Sequence, residues 1–199
     1  MKHPSSNLVL AHWTERLRNR PAPERGDIDP AAIRRALGDT FMLAADFLDH
    51  LRFRLAGTRV CALFCREIKG EAFAALWNED SREQIDALTK VMTGESVGSV
   101  AGLTGVTADG SEAELEMLLL PLAHEGQARI RALGVLAPVV PPYWLGEKPV
   151  IELKLRTLRH LGDENERGKP GFHRGQGRLP HGFVVYRGGR AAPNEERTG

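Results

Sequence analysis

Cysteine is nearly absent: Cys61 and Cys65 are the two in 199 residues. That excludes a disulfide framework and fits a reducing compartment. Aromatic residues are also sparse, with seven Phe, three Trp and two Tyr, a thin supply for enclosing a large planar cofactor. No stretch approaches the ~18 unbroken apolar residues of a membrane-spanning helix. The opening Met1-Lys2-His3-Pro4-Ser5-Ser6-Asn7 leads into a charged segment and not an uncharged secretory core, so a cytoplasmic location is expected. Neither sign of charge dominates: 27 Lys and Arg stand against 26 Asp and Glu. A net charge of +1 exerts no global pull on nucleic acid or anionic lipid, so neither nucleic acid nor membrane is an expected partner.

What is present is an ordinary globular balance, 42% hydrophobic and 27% charged, in a length that suits one domain with extensions. The charge is partitioned. Residues 1–38 hold seven basic and four acidic side chains, residues 39–161 hold 13 and 17, and residues 162–199 hold seven and five. The last segment carries nine of the 21 glycines and, alanines apart, only Leu179, Val184 and Val185 as aliphatic residues. It cannot bury enough apolar surface to offset its chain entropy, so a mostly flexible tail is expected. Within it, Gly182-Phe183-Val184-Val185-Tyr186-Arg187 reads as a short strand near 183–187. Three regions follow: an N-terminal helical extension (1–38), a core (39–161) and a Gly-rich tail (162–199).

Periodicity predicts the elements. Leu10, Trp13 and Leu17 form one stripe of an amphipathic helix over Leu8 to Arg18, ended by Pro21 and Pro23. Asp29-Pro30 reads as the cap and first residue of a short helix that Leu37-Gly38 would close. Phe41 to Phe47 reads as a strand. Leu51-Arg52-Phe53-Arg54-Leu55 alternates, with its three apolar residues on one face, and Asp49-His50 suits the turn between them. Thr58 is placed to cap a helix running to about Ile68. Asp80-x-x-Glu83 would open another, with Ile85, Leu88, Val91 and Met92 buried and Gly94 at its end. Val97 to Thr107 reads as a strand, and Asp109-Gly110 as a hairpin turn. A strand around Glu114 to Leu119, a turn at His124-Glu125-Gly126 and a final strand around Arg129 to Ala132 complete the core. Glu114 and Glu116 are expected to pair with Arg129 and Arg131 across two of these strands. Together with Arg52 and Arg54 they would decorate the outer sheet face.

Two strands, a run of short helices and three antiparallel strands make an α+β domain. Trp13-x-x-x-Leu17-Arg18, Pro23-x-Arg25-x-Asp27-Ile28-Asp29-Pro30, Arg52-Phe53-Arg54-Leu55-Ala56-Gly57-Thr58 and Ile68-x-Gly70 occur in sequence. So do Leu120-Pro121-Leu122, Gly134-Val135-Leu136, Leu158-Arg159-His160-Leu161 and Val185-Tyr186-x-Gly188-Gly189. The ordered set resembles a bacterial family of small stand-alone PAS-domain proteins, PAS_5-like, over residues 10–161 and 183–190. The resemblance implies a PAS-like five-stranded antiparallel sheet with crossing helices, and a role in signal transduction.

No chemistry-bearing constellation stands out. Cys61 and Cys65 are four apart on a predicted helix, the spacing of a metal or redox pair, but free cysteines usually pack as small hydrophobes. Light-sensing PAS relatives carry a flavin-reactive cysteine in an Asn-Cys-Arg-Phe-Leu-like motif. Phe64-Cys65-Arg66-Glu67-Ile68 keeps the Cys-Arg pair and loses the rest. His12, His50, His124 and His160 lie outside the crossing helix where a haem ligand would be expected from the resemblance. His173 and His181 have no companion at zinc-ligand spacing. Ser5, Ser6, Ser81, Ser96, Ser99 and Ser111 lack a nucleophile-elbow context, and Gly102-Leu103-Thr104-Gly105 has no Lys-Ser/Thr after it to make a phosphate loop. Glu112, Glu114 and Glu116 read as a solvated or paired face. Arg167, Lys169, Arg174 and Arg178 in the tail read as solvated linker, diluted by acids and short of stacking aromatics. No enzyme is expected, no metal site is assigned, and no cofactor is named.

A ligand pocket is the stronger candidate. Alternation and helix phase turn Phe53, Leu55, Phe64, Leu76, Trp77, Leu88, Met92, Met117 and Leu119 inward, where a PAS domain encloses an apolar cavity. The same side chains can equally fill a core at normal density. Leu10, Trp13 and Leu17 need a surface to cover, either their own sheet or a second subunit, with Trp13 as a suitable interface anchor. The expectation is a sensory adaptor that works through contacts with a regulatory protein partner, as a homodimer, modulated by a small apolar ligand. The alternative is a protein whose main task is ligand capture.

Overall fold

The first hairpin shows how local sequence sets the sheet. In this computed structural model, which describes residues 1–48, 50–123 and 131–161, β1 (Thr40–Ala45) pairs antiparallel with β2 (Leu51–Ala56). The Asp46 carboxylate organises the turn. It accepts from the backbone N–H of Leu48 (2.8 Å) and His50 (3.0 Å) and from Arg52 Nε (2.8 Å). β1 stops at Ala45, two residues short of the expected Phe47, which is 80% exposed in the turn. The hydrogen bond from Arg52, with those from Leu48 and His50, outweighs desolvation and holds the Asp46 carboxyl at about 2. A carboxyl depressed in the folded state adds stability above its ordinary value of 3.8 and loses it as pH falls toward about 2. The amides of Leu48 and His50 should therefore lose their hydrogen-bonded shifts in NMR over that interval, and Asp46→Asn should abolish the transition.

The strands of the second half are longer: β3 (Gly98–Thr107), β4 (Glu112–Leu122), β5 (Arg131–Pro138) and β6 (Val150–Leu161). The six form one antiparallel sheet in the order β2-β1-β5-β4-β3-β6. The sheet thus has six strands and not five. β6 escaped the periodicity reading because a bulge lets Leu103 pair with Leu155 and Gly102 with Thr157, which breaks the alternation of Leu153 and Leu155 before Leu158. Gly110, at φ +81°, turns β3 into β4 as expected.

Among the described residues three α-helices flank the sheet: α1 (Pro4–Arg16), α2 (Thr58–Phe64) and α3 (Glu79–Glu95). α1 starts four residues before the expected Leu8 because His3 caps it, its Nδ1 accepting from Ser5 N, with Pro4 at the first turn. It ends where Arg18 and Asn19 turn left-handed, at φ 44° and 63°. The expected helix over 30–37 is instead a series of turns followed by a 3-10 turn at Leu37–Asp39. Gly57, not Thr58, caps α2. A Cβ at Gly57 would run into the carbonyls of Leu37 and Gly38, so the chain can pass here only as glycine. α2 closes at Cys65, left-handed at φ 51°, three residues before Ile68. Asn78 caps α3 by accepting from Ser81 N, in place of the expected capping box, and the helix runs through Gly94 to a left-handed Ser96.

Two apolar layers result. The inner face of the sheet packs against α2, α3 and a 3-10 turn at Phe73–Leu76. The outer face is covered by α1 and by Ala22, Ile33 and Ala36. β4 is buried on both faces: Leu115, Met117 and Leu119 point inward, while Leu118, Leu120 and Leu122 point outward. The unbroken run Met117 to Leu122 records that double burial. Among the described residues no helix is long and apolar enough to cross a membrane.

Candidate functional site

The inner layer gathers the predicted pocket residues. Phe53 comes from β2, Phe64 from α2, Leu76 and Trp77 from the 3-10 turn and its cap, Leu88 and Met92 from α3, and Met117 and Leu119 from β4. All eight are buried in one cluster. Leu55 is not among them. Leu43 pairs with Phe53 but Met42 with Leu55, so Arg54 is an extra residue in β2. That bulge turns Leu55 onto the face of Met42, where it is 45% exposed.

Four aromatics form the centre. Phe41 lies 5.5 Å from Phe53 and 6.2 Å from Phe73, centroid to centroid. Phe73 meets Phe53 at 5.8 Å and Trp77 edge-on at 5.6 Å. These spacings are those of favourable aromatic pairs. Phe41, Phe73 and Trp144 are additions to the expected set. Phe41 was legible as strand but its face was not, and Phe73 sits in a turn too short to show a period. One polar atom stands out in this hydrocarbon setting: Trp77 Nε1 is buried and has no hydrogen-bond partner among the described residues.

The outer layer carries a polar frame. The main-chain N–H groups of Lys2 (2.6 Å) and His3 (3.1 Å) donate to the Glu116 carboxylate, and Lys2 Nζ to Glu114 (2.6 Å). Burial works to raise the Glu116 carboxyl. The N–H groups of Lys2 and His3, the Ser6 hydroxyl and the N-terminal ammonium outweigh it and hold the group below its ordinary value. These contacts replace the expected glutamate–arginine pairing. On β5 Glu116 faces Ala137 and Arg131 faces Leu122, while Arg129 lies outside the described residues. Asp39, buried beneath the start of α1, accepts Ser5 Oγ (2.5 Å), Arg59 Nε (2.6 Å) and Arg59 Nη2 (2.8 Å). It joins α1 to α2 across one end of the sheet.

Of the two courses open to the N-terminal helix, it lies on its own sheet. Trp13 is 7% exposed and donates Nε1–H to the Pro121 carbonyl at 2.8 Å. Leu10 and Leu17 sit at the margin of the outer cluster, and Val9 and His12 hold the buried positions. His12 Nε2 accepts from Asp29 N at 3.1 Å. His160 Nδ1 contacts Ser99 Oγ at 2.8 Å and ties β6 to β3. Burial pushes the Cys61 thiol up and keeps it protonated, while Cys65 is exposed at the end of α2. Among the described residues no group of three His, Cys, Asp or Glu side chains could hold a metal ion. His124, His173, His181, the turn at 124–126 and the whole tail lie outside the described residues.

Among solved structures the chain is similar to the PAS domain of a protein from Colwellia psychrerythraea, at 15% identity and a TM-score of 0.39, over 55% of this chain and 97% of that one. It is also similar to an RNA-binding light-oxygen-voltage receptor, at 17% identity and a TM-score of 0.39, over 59% of this chain and 36% of the receptor. No curated protein matches. A family model described as a PAS domain matches residues 1–137, well over half of the sequence, and it is this match that decides the assignment. The chain belongs to the PAS_5 family of PAS domains, a sensory and signalling class of α+β domain.

Proposed function

We propose that this PAS domain is a non-enzymatic, cytoplasmic sensory adaptor. Its input is a small neutral ligand taken into the inner layer, and its output is non-covalent contact with a regulatory protein. The observation that carries the ligand is Trp77 Nε1, a buried donor without an acceptor among the described residues. Leaving such a group unpaired costs roughly 1–3 kcal/mol. A mainly apolar molecule with one carbonyl or ether oxygen would recover that cost while keeping contact with Phe73 and the other rings. The surrounding residues are hydrocarbon or aromatic, which favours a neutral ligand because a buried charge there would have no partner.

The test is native mass spectrometry of the protein purified from its own host, set against its denatured mass. An excess mass that disappears on denaturation is expected, and Trp77→Phe should lose it because the donor is gone. A native mass equal to that of the bare chain, or of a whole number of chains, would overturn the ligand reading. An excess mass unaffected by Trp77→Phe would move the ligand away from this site.

A further inference from the structure

One stretch of sheet edge has no main-chain partner among the described residues. The middle of β2 is closed: Phe53 N–H donates to the Glu71 carbonyl (3.0 Å), and the Phe53 carbonyl accepts from Gly70 N–H (2.8 Å). The first half of β6, the other edge strand, is closed as well. Trp77 bridges to Leu153, the Leu153 carbonyl accepts from Asn78 N–H (3.0 Å), and Leu155 N–H donates to Ser81 Oγ (3.0 Å). Leu153 and Leu155 therefore turn their main chain away from β3. Past the bulge at Arg156, where Gly102 N–H meets Thr157 Oγ (3.2 Å), the alternation resumes and turns the main chain of Leu158 and His160 outward. No group among the described residues bonds it there. Such a row of N–H and C=O groups is a template for another strand. Leu155 and Leu158 stand half-buried at the margin of the inner cluster beside it.

We propose that residues 183–187 of the same chain pair antiparallel with this rim as a seventh strand. Within residues 162–199, Phe183-Val184-Val185-Tyr186 is the one run of β-branched and aromatic residues, the types that suit a strand. Gly182 before it and Gly188-Gly189 after Arg187 bound it at the length of the open rim, residues 157–161. Phe183 and Val185 fall on one face and Val184 and Tyr186 on the other, so either face can extend the apolar margin at Leu155 and Leu158. Residues 162–182 make a connection of 21 residues, with an r.m.s. reach of about 25 Å as a flexible chain. An antiparallel return needs its ends only one strand spacing apart, about 5 Å. Tethering at that length sets an effective concentration in the millimolar range, which favours this segment over the same strand of a second copy. Held there, it shields the rim from strands of other chains. This contact goes beyond the sensory reading and does not depend on a ligand.

Residue-resolved amide hydrogen exchange on the full chain tests it. In wild-type protein the Leu158 and His160 amides are expected to exchange slowly, and equally so across a tenfold dilution. Val184→Pro with Val185→Pro removes the N–H groups of both central residues, whichever faces β6. The pair should speed exchange at Leu158 and His160 about tenfold or more while amides of β3 and β4 stay slow. Val184→Thr with Val185→Thr keeps the N–H groups and should keep the protection. Fast exchange at Leu158 and His160 in wild type, or slow exchange in the proline variant, would overturn the proposal. So would an increase in the proline variant that reaches β3 and β4 equally, or loss of protection in the threonine variant. Protection that falls on dilution would assign the strand to a second copy and overturn it too.

Discussion

Gly134→Ala is expected to lower stability by about 3 kcal/mol, at the upper end for an overpacked core. Gly134 sits opposite Phe41 on β1 and Leu119 on β4, in the middle of the sheet. The Phe41 ring folds back over it, so an added Cβ would overlap Cζ, Cε2 and Cε1 of that ring. The ring cannot step aside, because it is fully buried between Phe53 and Phe73. Urea unfolding should show a lower midpoint with an unchanged slope. Phe41→Leu in the same chain should recover part of the loss, since the two sites share one volume. If Gly134→Ala unfolds like wild type, the ring does not occupy that space.

Arg59→Ala is expected to cost about 3 kcal/mol, the lower end for breaking a buried ion pair. The Asp39 carboxylate is 4% exposed and would keep only Ser5 Oγ, while the Arg59 side chain is 52% exposed and contributes less burial of its own. Because Ser5 belongs to α1 and Arg59 to α2, the damage should reach both helices. Hydrogen exchange should quicken in α1 and α2 and stay slow in β3 and β4. Adding Asp39→Asn should return much of the stability, because the unpaired charge is then gone. A double variant no more stable than Arg59→Ala would show that lost packing, not the stranded carboxylate, sets the cost.

The inner layer was largely legible in the sequence because it is built from periodicity. Ile85, Leu88 and Met92 are buried on one side of α3, and Phe53 was assigned its side of β2 by alternation. Expectation failed where one residue shifted the phase. The bulge at Arg54 sent Leu55 to the other face, and the bulge at Arg156 hid a strand of 12 residues. Caps were misplaced by one or two positions because Gly57 and Asn78 do the work assigned to Thr58 and Asp80. The polar frame was not legible. Glu114 and Glu116 were matched to arginines nearby in sequence, whereas their partners stand more than 100 residues away at Lys2 and His3. That the indole N–H of Trp77 finds no partner among the described residues is likewise a property of packing, which no spacing rule reports.

The docking of the N-terminus on Glu116 has a consequence for how this chain should be compared with others. Both bonds to that carboxylate are given by main-chain N–H groups, which every residue except proline possesses. Those two bonds do not depend on which side chains stand at positions 2 and 3, although His3 also caps α1 through Nδ1 and Lys2 Nζ bonds Glu114. What cannot drift is the number of residues between that point and the helix. An alignment scoring identity would score a lost residue no worse than a substituted one. The signature to look for is a fixed spacing, ahead of a helix that begins Pro-Ser-Ser, paired with one acidic residue in a strand more than 100 positions downstream.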